Sequence, residues 1–133
     1  RGTGRARRGA SSPSPEERIL KTHEELSRLC VEWHPRAVAV EKLFFEKNRK
    51  TALAVSEVRG IILLTAVLQK ITLFEYTPLE VKKSVTGHGR ADKRQVEKMI
   101  RLSAGGAASL RAADDVFDAI GIALTAFLLN KLG

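Results

Sequence analysis

Cysteine occurs once in the 133 residues, at Cys30. That excludes an internal disulfide and any multi-cysteine zinc site, and it fits a reducing compartment. Long apolar runs are also missing. The longest, IILLTAVL at 61 to 68, is too short by itself to cross a bilayer, so no membrane partner is expected. There is no Ser-His-Asp or Cys-His set to support nucleophilic catalysis, and no Gly-Lys-Ser/Thr ending that would make a P-loop. No secretory signal is visible. The opening RGTGRARRGASSPSP is Arg- and Ser-rich and acid-poor, as transit peptides are. The chain begins with Arg rather than Met, however, and a segment upstream is the simpler expectation.

What is abundant is positive charge. The net charge is +8 and the pI about 10.1, which favours polyanionic partners. Half of that excess comes from Arg1, Arg5, Arg7 and Arg8, with no acid in the first dozen residues. Residues 1–13 therefore read as a flexible basic segment, and 14–133 as one domain with enough chain for a hydrophobic core.

Ser14-Pro15-Glu16-Glu17 carries the signals of a helix start, with Ser14 as cap, Pro15 at the first position and Glu17 completing a capping box. Ile19, His23, Leu26, Cys30 and Trp33 recur at spacings of four and three, predicting a helix to about Glu32 with one buried stripe. AVAV at 37–40 reads as a short apolar strand. A helix from about Arg49 to Gln69 follows, apolar on every side in its second half, so two covers are expected, its own sheet and a partner subunit. ITLFEYT at 71–77 is a second strand. PLEVKKSV, ADKRQVEKMIRL and DDVFDAIGIALTAFLLNKL are predicted helices. Alternating strands and helices argue for an α/β layered domain. Two strands are few for such a sheet, so its first strands are expected to precede Arg1.

Glu41 directly follows the apolar strand. Either the strand has reached the surface there, or Glu41 joins other carboxylates around a hard divalent cation, which prefers oxygen ligands. The last helix offers Asp114, Asp115 and Asp118. Positions 115 and 118, and equally 114 and 118, share a helix face. Asp114 as N-cap and Asp115 in the first turn would also suit the helix dipole. Asp118 fits that plain reading poorly, lying between Phe117 and Ile120 where an unpaired carboxylate is costly.

Lys82, Lys83, Arg90, Lys93, Arg94 and Lys98 cluster around the two-glycine turn TGHGR. Such a run can be a solvated face, but the turn's N–H groups could also meet phosphate oxygens. Nucleic-acid backbone suits it better than a mononucleotide. Of Phe44 and Phe45, one should face outward, either by accident of packing or to contact bases. His23 reads as a packed core histidine and His88 as a solvated loop residue.

Taken in order, VAVEKLFFEKNRKTALAVSEVRGIILL, FEYTPLEVKKSVTGHGRADKRQVEKMI and DDVFDAIGIALTAF closely resemble the RuvC family of bacterial Holliday-junction endonucleases. The resemblance covers about Pro15 to Phe127. It implies an RNase H-like α/β fold, a mixed central sheet flanked by helices, whose N-terminal strands this chain lacks. It implies that Glu41, Asp115 and Asp118 are catalytic metal ligands, choosing Asp115 over Asp114, and that two Mg2+ ions bind per subunit in the complete protein, with Mn2+ able to substitute. Lys82 and Lys93 fall on basic residues near the scissile phosphate, and Phe44 on an aromatic that contacts bases. Lys83 and Arg90 extend the DNA-binding set.

The implied partners are four-way junction DNA, a second copy through the 49–69 helix, and a branch-migration motor complex, in the bacterial cytoplasm. Departures exist. The Gly-Ile-Asp-Pro-Gly strand with the first catalytic Asp is absent, Val116 and Phe117 replace small residues, and Ala126 replaces a His. The competing expectations are a non-catalytic DNA-binding relative and an RNase H-like nuclease acting on RNA.

Overall fold

The computed structural model describes residues 11–42, 49–106, 109–111 and 113–132. The expected basic segment up to residue 10, and the Phe44-Phe45 pair, lie outside the described residues.

Reciprocal caps start three helices. In α1 (Pro15–Trp33), the Ser14 hydroxyl accepts the Glu17 N–H at 3.1 Å and the Glu17 carboxylate accepts the Ser14 N–H at 2.9 Å. Thr77 and Glu80 do the same for α3 (Pro78–Thr86), at 3.2 and 2.6 Å. Asp92 and Gln95 do so for α4 (Lys93–Ser103), at 2.8 and 2.9 Å. Each pair satisfies two N–H groups that a helix start leaves open. Because Asp92 is spent as the cap, α4 begins two residues later than its apolar pattern predicts.

Strands β1 (Ala37–Glu41) and β2 (Thr72–Tyr76) pair in parallel, Ala37 opposite Thr72 and Glu41 opposite Tyr76. The helix α2 (Arg49–Leu68) connects them, the βαβ unit that a parallel pair requires. Side chains alternate along a strand, so Ala37, Ala39 and Glu41 share a face with Phe74 and Tyr76. That face meets α5 (Asp114–Asn130), where Asn130 Nδ2 donates to the Tyr76 hydroxyl at 2.6 Å. Asn130 also donates to the Ala126 carbonyl at 2.9 Å, and Lys131 turns left-handed at φ 49°. Helix α5 therefore stops before the Leu132 that its apolar run suggests.

The other face meets α2, tied there by an ion pair between Arg59 and Glu75. On α2's far side packs α1, where the Thr65 hydroxyl bonds His23 Nδ1 at 2.8 Å. His23 is thus packed against α2 but half-buried rather than in the core as expected. The α1 stripe is shallower than its spacing predicts: Cys30 is buried, but Ile19 is 41% and Trp33 71% exposed. The sheet and α1 still leave a third side of α2 open, with Leu53, Leu64, Val67 and Leu68 exposed. Although IILLTAVL is short, Thr51–Leu68 as a whole is long and apolar enough to cross a membrane. Arg59 and Thr65 instead bind it to the sheet and to α1.

A buried hydrophobic cluster lies where α3, α4 and α5 meet, around Val85, Ile100 and Phe117. Gly121 makes the approach possible. A Cβ there would stand 3.2 Å from Ile100 Cδ1 and 3.3 Å from Val81 Cγ1, so α5 presents bare backbone to both neighbours. This closeness carries Lys82 and Lys93, on α3 and α4, toward Asp118 on α5.

Candidate active site

Strand parity decides where Glu41 points. As the last odd-numbered residue of β1, it faces the α5 layer, and Asp118 looks back at it from the second turn of α5. A pocket of about 300 Å³ opens between them, with Lys82 and Lys93 on its wall and Val81, Val96 and Ile122 as apolar lining. The Glu41 side chain reaches solvent at the pocket mouth, yet partial burial, and next the negative charge of Asp118, hold its carboxyl above the usual value. Two carboxylates facing one another without an intervening cation disfavour joint ionisation. Among the described residues neither forms an ion pair.

Lys93, the first residue of α4, donates to Asp114 Oδ2 at 2.8 Å. That hydrogen bond, with the charges of Asp114, Asp118 and Asp115, raises the ammonium pKa above its usual value despite slight dehydration. Asp115 thus acts electrostatically on the pocket but does not line it. Among the described residues, no group of three or more His, Cys, Asp and Glu side chains is gathered closely enough to hold a metal ion. The structure brings Glu41 and Asp118 together, with Asp115 at the margin.

Lys83 and Arg90 are exposed outside this pocket. Phe44 lies outside the described residues. In the glycine turn, Gly87 takes φ 86° and gives its N–H to the Lys83 carbonyl at 2.9 Å, while the His88 N–H meets the Thr86 hydroxyl at 3.3 Å. Those two amides close helix α3 and are not open to a phosphate. His88 is exposed, as expected.

Sequence reasoning missed Asp114 as the partner of Lys93. Asp114 reads as a helix cap, but the cap position belongs to Ala113, with no side-chain bond. No spacing signal joins residues 93 and 114, since separate helices bring them together.

The family model described as "Crossover junction endodeoxyribonuclease RuvC" matches residues 7–126. The chain belongs to the RuvC family. The match begins eight residues before Pro15, the start of the resemblance described above. Among curated proteins, the RuvC of Caldicellulosiruptor saccharolyticus is 43% identical over 122 residues, covering 92% of this chain and 73% of that protein. The RuvC of Desulfitobacterium hafniense is 41% identical over 128 residues, covering 93% and 76%. Two solved Thermus thermophilus RuvC structures superpose with TM-scores of 0.81 and 0.82 at 31% identity, each covering 92% of this chain and 75% of the other. The second of them is in complex with a Holliday junction substrate. The fold is accordingly RNase H-like, and among the described residues two parallel strands and five helices are its counterpart.

Proposed function

We propose that this chain is a metal-dependent endonuclease that resolves four-way (Holliday) DNA junctions by paired symmetric nicks. The observation that carries the reading is the shared pocket of Glu41 and Asp118, walled by Lys82 and Lys93. Family membership, and the junction complex of the Thermus thermophilus relative, support junction DNA as substrate.

The donor set fits a hard divalent cation. Glu41 and Asp118 offer carboxylate oxygens, and a cation between them would offset the partial burial, and next the Asp118 charge, that hold the Glu41 pKa up. Mg2+ commonly binds through one or two carboxylates and fills its other positions with water and phosphate, so this pocket needs no all-protein cage. Glu41 and Asp118 would hold it, with Asp115 contributing from the margin, and Mn2+ would substitute. When bound, such ions supply Lewis-acid activation of water and stabilise the departing 3′ oxygen.

The chain's own residues do the rest. Lys82 and Lys93 present positive charge where negative charge grows on the phosphate during displacement. Lys93 can exchange its exposed Asp114 partner for a phosphate oxygen at little cost, because solvent-exposed ion pairs contribute little to stability. Lys83 and Arg90 supply further phosphate contacts outside it, and Phe44 a contact to bases.

The open side of α2 supports a homodimer in which a second copy covers Leu64, Val67 and Leu68. Two-fold symmetry then presents two pockets to one junction. Leu64→Glu should shift the purified protein from dimer to monomer by light scattering.

The test of function is Glu41→Gln. It should abolish Mg2+-dependent cleavage of a four-way junction and leave junction binding largely intact. Cleavage at the parent rate would remove Glu41 from the mechanism. The absence of a three-ligand cluster among the described residues favours a second reading, a junction-binding protein that does not cut. That reading predicts steeply salt-dependent binding and no product in Mg2+.

A further inference from the structure

Arg101 touches Leu110, ahead of the α5 acids, and Phe117, between Asp115 and Asp118, and nothing in the chemistry above uses it. Its Nε and Nη2 donate to Glu97 Oε1 at 3.1 and 2.9 Å. Nη1 donates to the Leu110 carbonyl at 2.7 Å. The guanidinium carbon lies 4.4 Å from the centre of the Phe117 ring, within cation–π range. Phe117 is 5% exposed and stands between Asp115 and Asp118 in Asp-Val-Phe-Asp.

The start of α5 needs such support. Its cap residue, Ala113, offers no side-chain bond to the first turn. Orientation there depends on how Phe117 is seated among Val85 and Ile100 and on where Leu110 leads the chain in. Arg101 holds both, and Glu97 holds Arg101.

A helix so seated is sensitive to rotation. Turning it by about 10° carries a side-chain tip, roughly 5 Å from the axis, through about 1 Å. Misplacement of that size can cost about 100-fold in rate.

We propose that Arg101, braced by Glu97, is a positioning residue for Asp115 and Asp118: by stacking on Phe117 and binding the Leu110 carbonyl it fixes the rotation of the first turns of α5. The proposal rests on the metal-dependent reading above and adds the device that aims its α5 ligands. The planar fork matters more than the charge, because an ammonium can neither stack flat on the ring nor reach Glu97 and Leu110 together.

The experiment compares the full protein with Arg101→Lys and Glu97→Gln. Mn2+ binding by titration calorimetry, junction binding in EDTA and single-turnover cleavage are measured for each. Arg101→Lys should weaken Mn2+ binding and slow cleavage about tenfold each, the usual scale for losing a group that orients a ligand. Junction binding in EDTA should not change, and amide exchange at Val116–Asp118 should quicken. Equal Mn2+ affinity and equal cleavage in Arg101→Lys would overturn the proposal. Should Arg101→Lys fail to fold, Glu97→Gln carries the same test, and parental Mn2+ affinity there would overturn it. If the parent protein itself binds no Mn2+ and cuts no junction, the failure belongs to the catalytic reading instead.

Discussion

Lys93 Nζ lies 2.8 Å from Asp114 Oδ2, joining the first residue of α4 to the first residue of α5. Both side chains are more than half exposed, so the pair orients the ammonium more than it stabilises the fold. Asp114→Asn should shift the melting temperature little and tighten junction binding at low salt, an advantage that fades as salt is raised. Because folding raises the Lys93 pKa, the pair's contribution is fully present below the ordinary value of 10.5 and is lost as pH rises through the folded value. Melting curves from neutral to strongly alkaline pH, with and without Asp114, test this.

Glu41 behaves in the opposite sense to a salt-bridged carboxylate. Its folded pKa lies above the ordinary 4.5, so the folded chain holds its proton longer than the unfolded chain does. Stability falls as pH rises from 4.5 through the folded value, and above that the ionised group is a cost. Glu41→Gln should therefore melt higher than the parent at pH 7 while losing cleavage, and the difference in melting should vanish near pH 4. A lower melting temperature at pH 7 would contradict the strained-carboxylate account.

Gly121 sets the spacing between α5 and its neighbours. Gly121→Val inserts atoms where Ile100 and Val81 already stand, at an expected cost of about 1–3 kcal/mol. It should also slow cleavage more than it weakens junction binding, since it moves Asp118 away from Lys82 and Lys93. Chemical denaturation and single-turnover kinetics on one preparation separate the two effects.

The α3 cap offers a control outside the pocket. Thr77→Ala removes one half of the box and should cost about 1 kcal/mol. Hydrogen bonds from Thr77 lower the pKa of Glu80, so that partner's contribution exists above pH 4.5 and disappears as pH falls through the lowered folded value. Acid unfolding of Thr77→Ala should keep most of the parent's pH dependence, because the Thr77 backbone N–H that chiefly lowers the Glu80 pKa remains.

Much of this architecture is written locally. Ser14-Pro15-Glu16-Glu17 announces α1 because both halves of its cap sit within four residues, and AVAV announces a strand because its pattern needs no distant partner. The meeting of Glu41 with Asp118 is only half legible. Parity fixes a face for Glu41, but which helix covers that face depends on packing at Gly121, whose single hydrogen side chain carries no signal until its neighbours are known. The Lys93–Asp114 pair and the Arg101–Phe117 contact are less legible still, since each joins separate helices across a loop. Trp33 shows the converse failure: its spacing with Cys30 promises burial, yet it stands past the edge of what α2 covers.

Strand alternation makes the pocket vulnerable to length rather than to composition. Adding one residue within Ala37–Val40 while the pairing with β2 is kept would swing Glu41 through half a turn into the layer beside Arg59, leaving Asp118 without its counterpart. Adding two would restore the direction but lift the carboxylate about 7 Å along the strand. Length changes here should therefore be punished alternately, severely for odd insertions and less so for even ones, whatever amino acids are inserted.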